Sequence, residues 1–330
     1  MDQAGDRARE EPVLLTDSTG EVIVTRAGGR LATAWTSDIF YSFRRNPVAV
    51  VSTIALAVCL IAAFFAPWVA PHNPFDLKTL SLQDALTPPA WEQGGRSVFV
   101  LGTDDQGRDV LSAIMFGARI SLLVGLASVA FAMLLGVTLG LVAGYVGGKV
   151  DAIIMRIADV QLSFPAILIA LLIDGVARAV LPRDAQTGVA LAVLVLAIGL
   201  ANWVQYARTV RGSTMVEKTK EYVQAARVIG ITPLRIMRRH LLPNVMGPVL
   251  VLATLNIATA IITEATLSFL GVGVPQTQPS LGTLIRVGND FLFSGEWWIT
   301  IFPGIALVIM VLAINLVGDW LRDALNPKLR

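Results

Sequence analysis

The chain has 330 residues, of which 55% are hydrophobic and only 15% are charged. Because soluble domains carry roughly 25% charged residues, this composition excludes an ordinary soluble protein and indicates an integral membrane protein. The formal net charge is +2, from 26 basic and 24 acidic residues, so the distribution of charge between loops is more informative than its sum.

We expect residues 1–46 to form a cytoplasmic N-terminal tail. Residues 1–30 are polar and mixed in charge, which predicts a mobile segment without a packed core or assigned secondary structure. From Thr33 to Arg45, large apolar residues recur at helical spacing and two arginines close the run. This pattern favours an amphipathic helix at the membrane surface, with a juxtamembrane linker as the alternative.

The first membrane span is predicted from about Pro47 to Val69, and we assign residues 47–70 to it. Arg44 and Arg45 precede the span, so the N-terminus is expected inside by the positive-inside rule. Residues 71–117 then form an external loop with three basic residues, six acids and four prolines. This loop is predicted to be acidic and irregular.

Residues 118–321 contain five more apolar segments, which predict a five-helix core. The segments are about Ile120–Tyr145, a span after Asp151 with Pro165 in its middle, Val189–Ala207, Gly247–Leu270 and Thr300–Val317. Glycines at 136, 140, 144 and 148 form a ridge that favours close helix packing in lipid. The fold class is therefore an all-α membrane protein with six transmembrane helices. Residues 322–330 form a cytoplasmic C-terminus, and residues 271–297 form a second outer loop.

A basic helical hairpin separates the fourth and fifth spans. Glu221–Asn244 is predicted as two short helices that join at Gly230, with Thr232 and Pro233 starting the second helix and Pro243 ending it. The spacing resembles a DNA-binding helix-turn-helix, but the segment is too short for a supporting third helix. Two alternatives remain, a solvated polar face and a docking element for a cytoplasmic partner.

No catalytic or metal-binding pattern is recognisable. His72 and His240 lie in different loops without a second ligand at metal spacing, and an intramembrane hydrolase would need a catalytic constellation that the sequence lacks. We therefore expect no covalent chemistry in this chain. Ionisable residues within spans remain functional candidates. Arg156 and Asp159 are expected to pair or to snorkel, and Glu264 is expected either to bond another helix or to line a translocation path.

Several segments resemble one known family. They are Gln224–Gly230 (QAARVIG) followed by His240–Pro243 (HLLP), Leu101–Asp109 (LGTDDQGRD), Gly117–Leu122 (GARISL) and Glu264–Gly271 (EATLSFLG). These residues resemble the second permease subunit of binding-protein-dependent ABC importers of the dipeptide, oligopeptide and nickel group. Gln224 replaces the glutamate of the general "EAA" motif and His240 its usual isoleucine, and both departures fit this branch. The resemblance covers about residues 35–328.

The resemblance implies a type I ABC importer permease fold in a bacterial cell membrane, with both termini cytoplasmic. A coupling hairpin at about 215–243 would bind a cytoplasmic ATPase. The implied coupling residues are Glu221, Gln224, Ala225, Ala226, Arg227, Gly230 and Pro243. The implied partners are a homologous second permease, two ATPase subunits, an external solute-binding protein and membrane lipid, with no nucleic acid. ATP and Mg would bind the ATPases, and this chain would bind no cofactor or metal.

The expected cargo is a di- or oligopeptide. A nickel chelate, haem or another small solute is the alternative within the same family. A self-sufficient secondary carrier or channel is the alternative from a different class, but such carriers often contain inverted repeats and no convincing internal repeat is visible here.

Overall fold

The computed structural model describes residues 13–16, 22–25, 43–76, 80–274 and 278–325. It contains two compact units, Met1–Val50 and Val51–Arg330. In the first unit, strand β1 (Val13–Thr16) pairs antiparallel with β2 (Val22–Thr25), where the sequence predicted no secondary structure. Both strands are rich in β-branched residues, which favour extended chain. The predicted surface helix at 33–45 lies outside the described residues, except for a helical turn at residues 43–45.

Eleven α-helices occur in the described residues. They are α1 (Pro47–Phe64), α2 (Ala66–Val69), α3 (Val110–Val146), α4 (Gly148–Leu162), α5 (Ala166–Val180), α6 (Arg183–Glu217), α7 (Glu221–Val228), α8 (Pro233–Ile236), α9 (Leu242–Phe269), α10 (Leu281–Asn289) and α11 (Trp298–Leu325). Short 3-10 helices cover Leu82–Asp84 and Leu292–Ser294, and Met237–Leu241 forms a π-helical turn between α8 and α9.

The long helices confirm the all-α membrane architecture. Five helical stretches are long and apolar enough to span a membrane, and the bent pair α4–α5 makes six if it counts as one span. The helices extend beyond the predicted apolar windows. For example, α3 starts at Val110 because the Asp109 carboxylate accepts a hydrogen bond from the Ser112 backbone N–H and caps the helix. At 1.5 Å per residue its 37 residues are about 55 Å long, well beyond a bilayer core of about 30 Å.

The third predicted span is not one continuous helix. Helices α4 and α5 meet at an angle of 95°, because Pro165 has no backbone N–H to donate and disfavours helical backbone in the residue before it. The 15 residues of α5 measure only about 22 Å.

The ion-pair prediction is also corrected: Asp159 binds Arg208 of α6 at 2.5 Å rather than Arg156. This ion pair joins α4 to the C-terminal half of α6.

The glycine ridge of α3 packs closely against another helix, as the sequence predicted, and that helix is α6. A Cβ added at Gly140 would lie 2.4 Å from the carbonyl oxygen of Ala207, and one at Gly136 would lie 2.4 Å from that of Trp203. The two backbones therefore approach too closely for any side chain. Gly148 does not belong to this ridge, because it has φ +56° and nothing within 4 Å of an added Cβ. It supports the turn between α3 and α4.

The second outer loop contains a helix that the sequence did not predict. Ser280 is the N-cap of α10, and its hydroxyl accepts a hydrogen bond from the Thr283 N–H. The helix buries Leu281 and Leu284 in the same apolar cluster as residues of α3, α9 and α11. A Cβ added at Gly282 would lie 2.4 Å from the carbonyl oxygen of Ala265 in α9. Helix α10 is thus packed closely against the C-terminal end of α9.

Candidate functional site: a coupling hairpin and an interhelical clamp

The hairpin turns at Gly230, as predicted. Gly230 has φ +79°, a conformation that glycine adopts without a steric penalty. The Ile231 N–H donates to the Ala226 carbonyl at 3.0 Å, and the Gly230 N–H donates to the Arg227 carbonyl at 3.0 Å. These bonds satisfy the last carbonyls of α7. Thr232 occupies the N-cap position of α8, but its side chain makes no capping hydrogen bond.

Pro243 does not end the second hairpin helix, contrary to the prediction. It lies in the first turn of α9, directly after the π-helical turn, where the Leu242 N–H donates to the Met237 carbonyl five residues earlier. This wide turn accommodates a residue without an N–H donor. Asn244 Nδ2 donates to the His240 carbonyl at 2.6 Å. The hairpin therefore continues directly into the fifth span.

The other end of the hairpin is tied to α6. The Tyr222 hydroxyl donates to Glu217 Oε1 at 2.6 Å, Lys220 Nζ lies 2.8 Å from Glu217 Oε2, and Gln224 Nε2 donates to the Lys218 carbonyl at 3.2 Å. Burial raises the pKa of Tyr222 to about 12, and the bond to Glu217 acts in the same direction. The Tyr222 hydroxyl thus keeps its proton and remains a donor near neutral pH.

Two contacts tie the hairpin and the end of α6 to α3. The Arg227 guanidinium lies 5.1 Å from the centroid of the Tyr145 ring, within the range of a cation–π interaction. Lys218 Nζ donates to the Gly144 carbonyl at 2.7 Å. The hairpin is therefore bonded to α6 and α3, and it continues into α9.

The two faces of the hairpin differ in character. Val223 and Ala226 are buried together with Ile236 in the main apolar cluster, so Ala226 packs within this chain. The exposed tip is apolar: Val228 is 87% exposed, and Ile229 and Leu234 are 73% and 60% exposed. Four exposed arginines lie within five residues of these positions in the chain, and we call them the arginine rim: Arg227, Arg235, Arg238 and Arg239. Among the other predicted coupling residues, Glu221, Gln224, Ala225 and Pro243 are exposed.

We name Val228, Ile229 and Leu234 the apolar tip. The sequence interpretation did not include these residues, because it assigned the hairpin's role to its alanines, its glycine and its charged residues. The available signal was three large apolar residues close to a glycine turn inside an otherwise polar segment. An exposed apolar patch with an arginine rim has the composition of a protein-binding surface.

Glu264 is enclosed between helices. Its side chain is completely buried in α9, where its two carboxylate oxygens accept hydrogen bonds from Ser121 Oγ of α3 and from Ser268 Oγ, each at 2.7 Å. Ser121 Oγ also accepts a hydrogen bond from the Leu281 N–H at the start of α10. Of the two predicted roles, this geometry matches the interhelical bond, and we call Glu264, Ser121 and Ser268 the interhelical clamp.

The segment before α3 contains buried ion-paired and hydrogen-bonded side chains. Asp104 and Arg108 are both buried and form an ion pair at 2.6 Å, while Trp298 Nε1 donates to the Thr103 carbonyl at 3.0 Å. Burial, and next the neighbouring Asp104, raise the pKa of Asp105 above its usual value. Within the described residues, no group of three His, Cys, Asp or Glu side chains is arranged to hold a metal ion.

Two regions of the chain match known protein families. Residues 136–330 match the family described as the inner membrane component of binding-protein-dependent transport systems, and residues 33–89 match the N-terminal transmembrane domain of oligopeptide transport permease C. A di/tripeptide transport permease, DppC, of Pseudomonas aeruginosa is 40% identical, covering 89% of this chain and 92% of that protein. The dipeptide permease DppC of Escherichia coli K12 is 42% identical, covering 89% and 93%.

Solved structures support the same fold. Two crystal forms of an inward-facing methionine ABC transporter, MetNI, each cover 65% of this chain and 96% of the matched chain. Their TM-scores are 0.51 and 0.50, at 22% and 20% identity. The chain belongs to the family of inner membrane components of binding-protein-dependent transport systems.

Proposed function

We propose that this chain is a permease subunit of an ABC importer and forms half of the translocation pathway for di- or oligopeptides. The observation that carries this proposal is the apolar tip with its arginine rim, on a hairpin that continues into a membrane span. Relatives named as dipeptide permeases support the peptide cargo. The arginines before α1 support cytoplasmic termini in the bacterial inner membrane.

The hairpin is proposed to bind a cytoplasmic ATPase. Val228, Ile229 and Leu234 would enter an apolar cleft, and the surrounding arginines would pair with acidic groups at its rim. ATP and Mg would bind the ATPase, and this chain would contribute no reacting group. Gly230 fixes the sharp turn that presents the tip, and the buried Ala226 allows α7 to pack closely against the chain.

Coupling is proposed to be mechanical. The bonds of Tyr222 and Gln224 join the hairpin to the end of α6, while Arg227 and Lys218 contact α3. Movement of the ATPase surface would therefore displace the inner ends of three helices as one body, which is the type of motion required for alternating access. A homologous permease would supply the other half of the pathway, and an external solute-binding protein would deliver cargo to the outer surface.

The docking surface is tested by replacing Val228 with Asp in the complete importer. Because Val228 is 87% exposed, the variant should insert and fold, yet fail to copurify the ATPases and lose ATP-dependent peptide uptake. Gly230→Asp and a bulky replacement of Ala226 should also abolish docking and uptake, in these cases by distorting the hairpin. Lys149→Ser is the matched control, since Lys149 is exposed in α4 outside the hairpin.

Normal ATPase binding by Val228→Asp would refute the docking assignment. The class of machine is tested separately by removing the ATPase subunits from the complex. Peptide uptake that continues without them would favour a self-sufficient carrier. Competition by a nickel chelate or haem, without competition by peptides, would instead assign the alternative cargo within the same machine.

A further inference from the structure

The third span is interrupted at residues 162–165, which we call the break. It joins the last residue of α4 to the start of α5, the two helices meet there at 95°, and all of its residues are exposed. Several backbone groups at the break have no hydrogen-bond partner in the part of the chain that the structure describes. They are the carbonyls of Leu162, Ser163 and Phe164 and the N–H groups of Ala166 and Ile167.

Helix α4, which leads to the break, lies alongside the C-terminal half of α6. Near its start, Asp151 pairs with Arg211 at 2.5 Å. At its other end, Gln161 Nε2 donates to the Leu200 carbonyl at 2.5 Å. Ala158, one turn before the break, is fully buried in an apolar cluster with residues of α6. The charged end of α4 is thus level with the charged end of α6.

The break itself is level with the centre of an apolar run. Gln161 precedes it directly and also accepts a hydrogen bond from Trp203 Nε1 at 2.7 Å. Its other contact, Leu200, is only about 3 Å along the helix from the centre of the run Val189–Ala207. The break therefore lies at the depth of the hydrocarbon core when the chain spans a bilayer.

Lipid would leave the backbone groups of the break unpaired. Hydrocarbon offers no hydrogen bond, and non-helical backbone at membrane depth occurs only where it is buried in protein or lines a water-filled cavity. A packed partner helix has satisfied its own backbone internally, so it offers these groups no backbone bond either. Water and an extended solute can bond to all of them. A hydrated route therefore satisfies the break more completely than a lipid or a helix.

The surroundings of the break are mostly apolar. Ile157, Val160 and Leu168 are 57%, 56% and 54% exposed on the helices that flank it. The charged residue nearest to the break in the chain, Asp159, is paired with Arg208. Apolar surface with a few polar groups is the usual composition of a site for a small solute.

We propose that the break lines the translocation path, where its backbone groups bond to water and to the main chain of a passing peptide. This inference deepens the proposed import function and rests on it. An extended peptide presents N–H and C=O groups that are not paired internally, and the break offers acceptors and donors to both. Because these groups are uncharged, the path accepts peptides with different side chains.

The test uses the complete importer reconstituted in proteoliposomes. Because Cys59 is the only cysteine of the chain, Cys59→Ala gives a background in which this chain has no thiol, and Ser163→Cys then places one thiol at the break. The Ser163 hydroxyl donates to the Asp159 carbonyl one turn earlier, so the change is conservative. Leu312→Cys is the matched control, since Leu312 is 53% exposed near the middle of α11, where the helix is unbroken.

A permanently charged methanethiosulfonate reagent is added during ATP hydrolysis, and the mass of this chain reports its modification. We expect Ser163→Cys to react about tenfold or more faster than Leu312→Cys, because only the ionised thiol reacts and ionisation requires water. A transported dipeptide should slow the reaction, and the modified Ser163→Cys importer should lose peptide uptake.

Equal rates for the two variants, or no protection by the dipeptide, would overturn the inference. Failure of Ser163→Cys to react in an importer with normal uptake would place the break against lipid or the partner permease, and would overturn the inference while the proposed function stands. Absence of peptide uptake by the unaltered importer would instead refute the proposed function itself.

Discussion

The interhelical clamp gives the sharpest test of how α3, α9 and α10 are held together. Glu264 is fully buried, and its oxygens accept bonds from Ser121 and Ser268 at 2.7 Å. Glu264→Leu retains much of the side-chain volume but leaves both serine hydroxyls without their acceptor. Glu264→Gln keeps one oxygen acceptor, and a serine hydroxyl can rotate to accept a bond from the new amide.

The expected magnitudes differ between the two variants. An orphaned buried hydroxyl costs about 1 to 3 kcal/mol, so two of them in Glu264→Leu cost about 2 to 6 kcal/mol. This is a large fraction of the 5 to 15 kcal/mol that typically stabilises a protein. Glu264→Gln should cost about 1 kcal/mol or less, because both serines remain bonded.

The assay is the apparent unfolding temperature of the detergent-purified complex, followed by the loss of its size-exclusion peak, together with peptide uptake per folded complex. We expect Glu264→Leu to unfold at a clearly lower temperature, Glu264→Gln to remain close to the unaltered chain, and the uptake per folded complex to be preserved. Thr259→Val is the control, because Thr259 is exposed on the same helix. If Glu264→Leu assembled with normal stability but lost uptake, Glu264 would line the path and the clamp would be refuted.

Two further predictions use neighbouring or matched residues. Gly140→Ala should destabilise the folded protein by about 1 to 3 kcal/mol, because the new Cβ would lie 2.4 Å from the Ala207 carbonyl oxygen. Gly175→Ala is the control: a Cβ there has open space, so the change should be neutral or stabilising by up to about 1 kcal/mol. Equal unfolding temperatures for the two variants would contradict the close packing of α3 on α6. Because the pKa of Asp105 is raised in the folded state, its ionisation opposes folding, so Asp105→Asn should raise the unfolding temperature at pH 7, and the gain should disappear as the pH falls towards about 4. Asp104→Asn should instead lower it at pH 7, by about 2 kcal/mol of stability, since it removes a buried ion-pair partner; a gain from Asp104→Asn would refute this account.

Features governed by local rules were predicted correctly. Apolar segments of sufficient length predicted the spans, and a lone glycine between two short helical segments predicted the turn at Gly230, which has φ +79°. The glycine spacing on α3 predicted a close helix contact, although it did not identify α6 as the partner or separate Gly148 from the ridge. Each of these signals lies within a few turns of one helix.

Features that depend on distant neighbours were missed or left open. The choice between two roles for Glu264 required the position of Ser121, which is 143 residues away in the chain. The apolar character of Val228 gave no sign of its exposure, since a similar residue five positions earlier, Val223, is completely buried. Helix α10 was not predicted, because the loop that contains it is rich in glycine and proline, a composition typical of irregular structure. The helix is stabilised by packing against α3, α9 and α11.

The sequence by itself determined the membrane class, the number of apolar segments and the basic hairpin between two of them. These features depend on the length of each apolar run and on the backbone preferences of neighbouring residues, which can be read within one segment of the chain. Only the tertiary structure decided that the third segment bends by 95°, that Pro243 lies inside a continuous helical path, and that Glu264 is enclosed between helices. The physical reason is that burial and hydrogen-bond pairing depend on which helices meet in space.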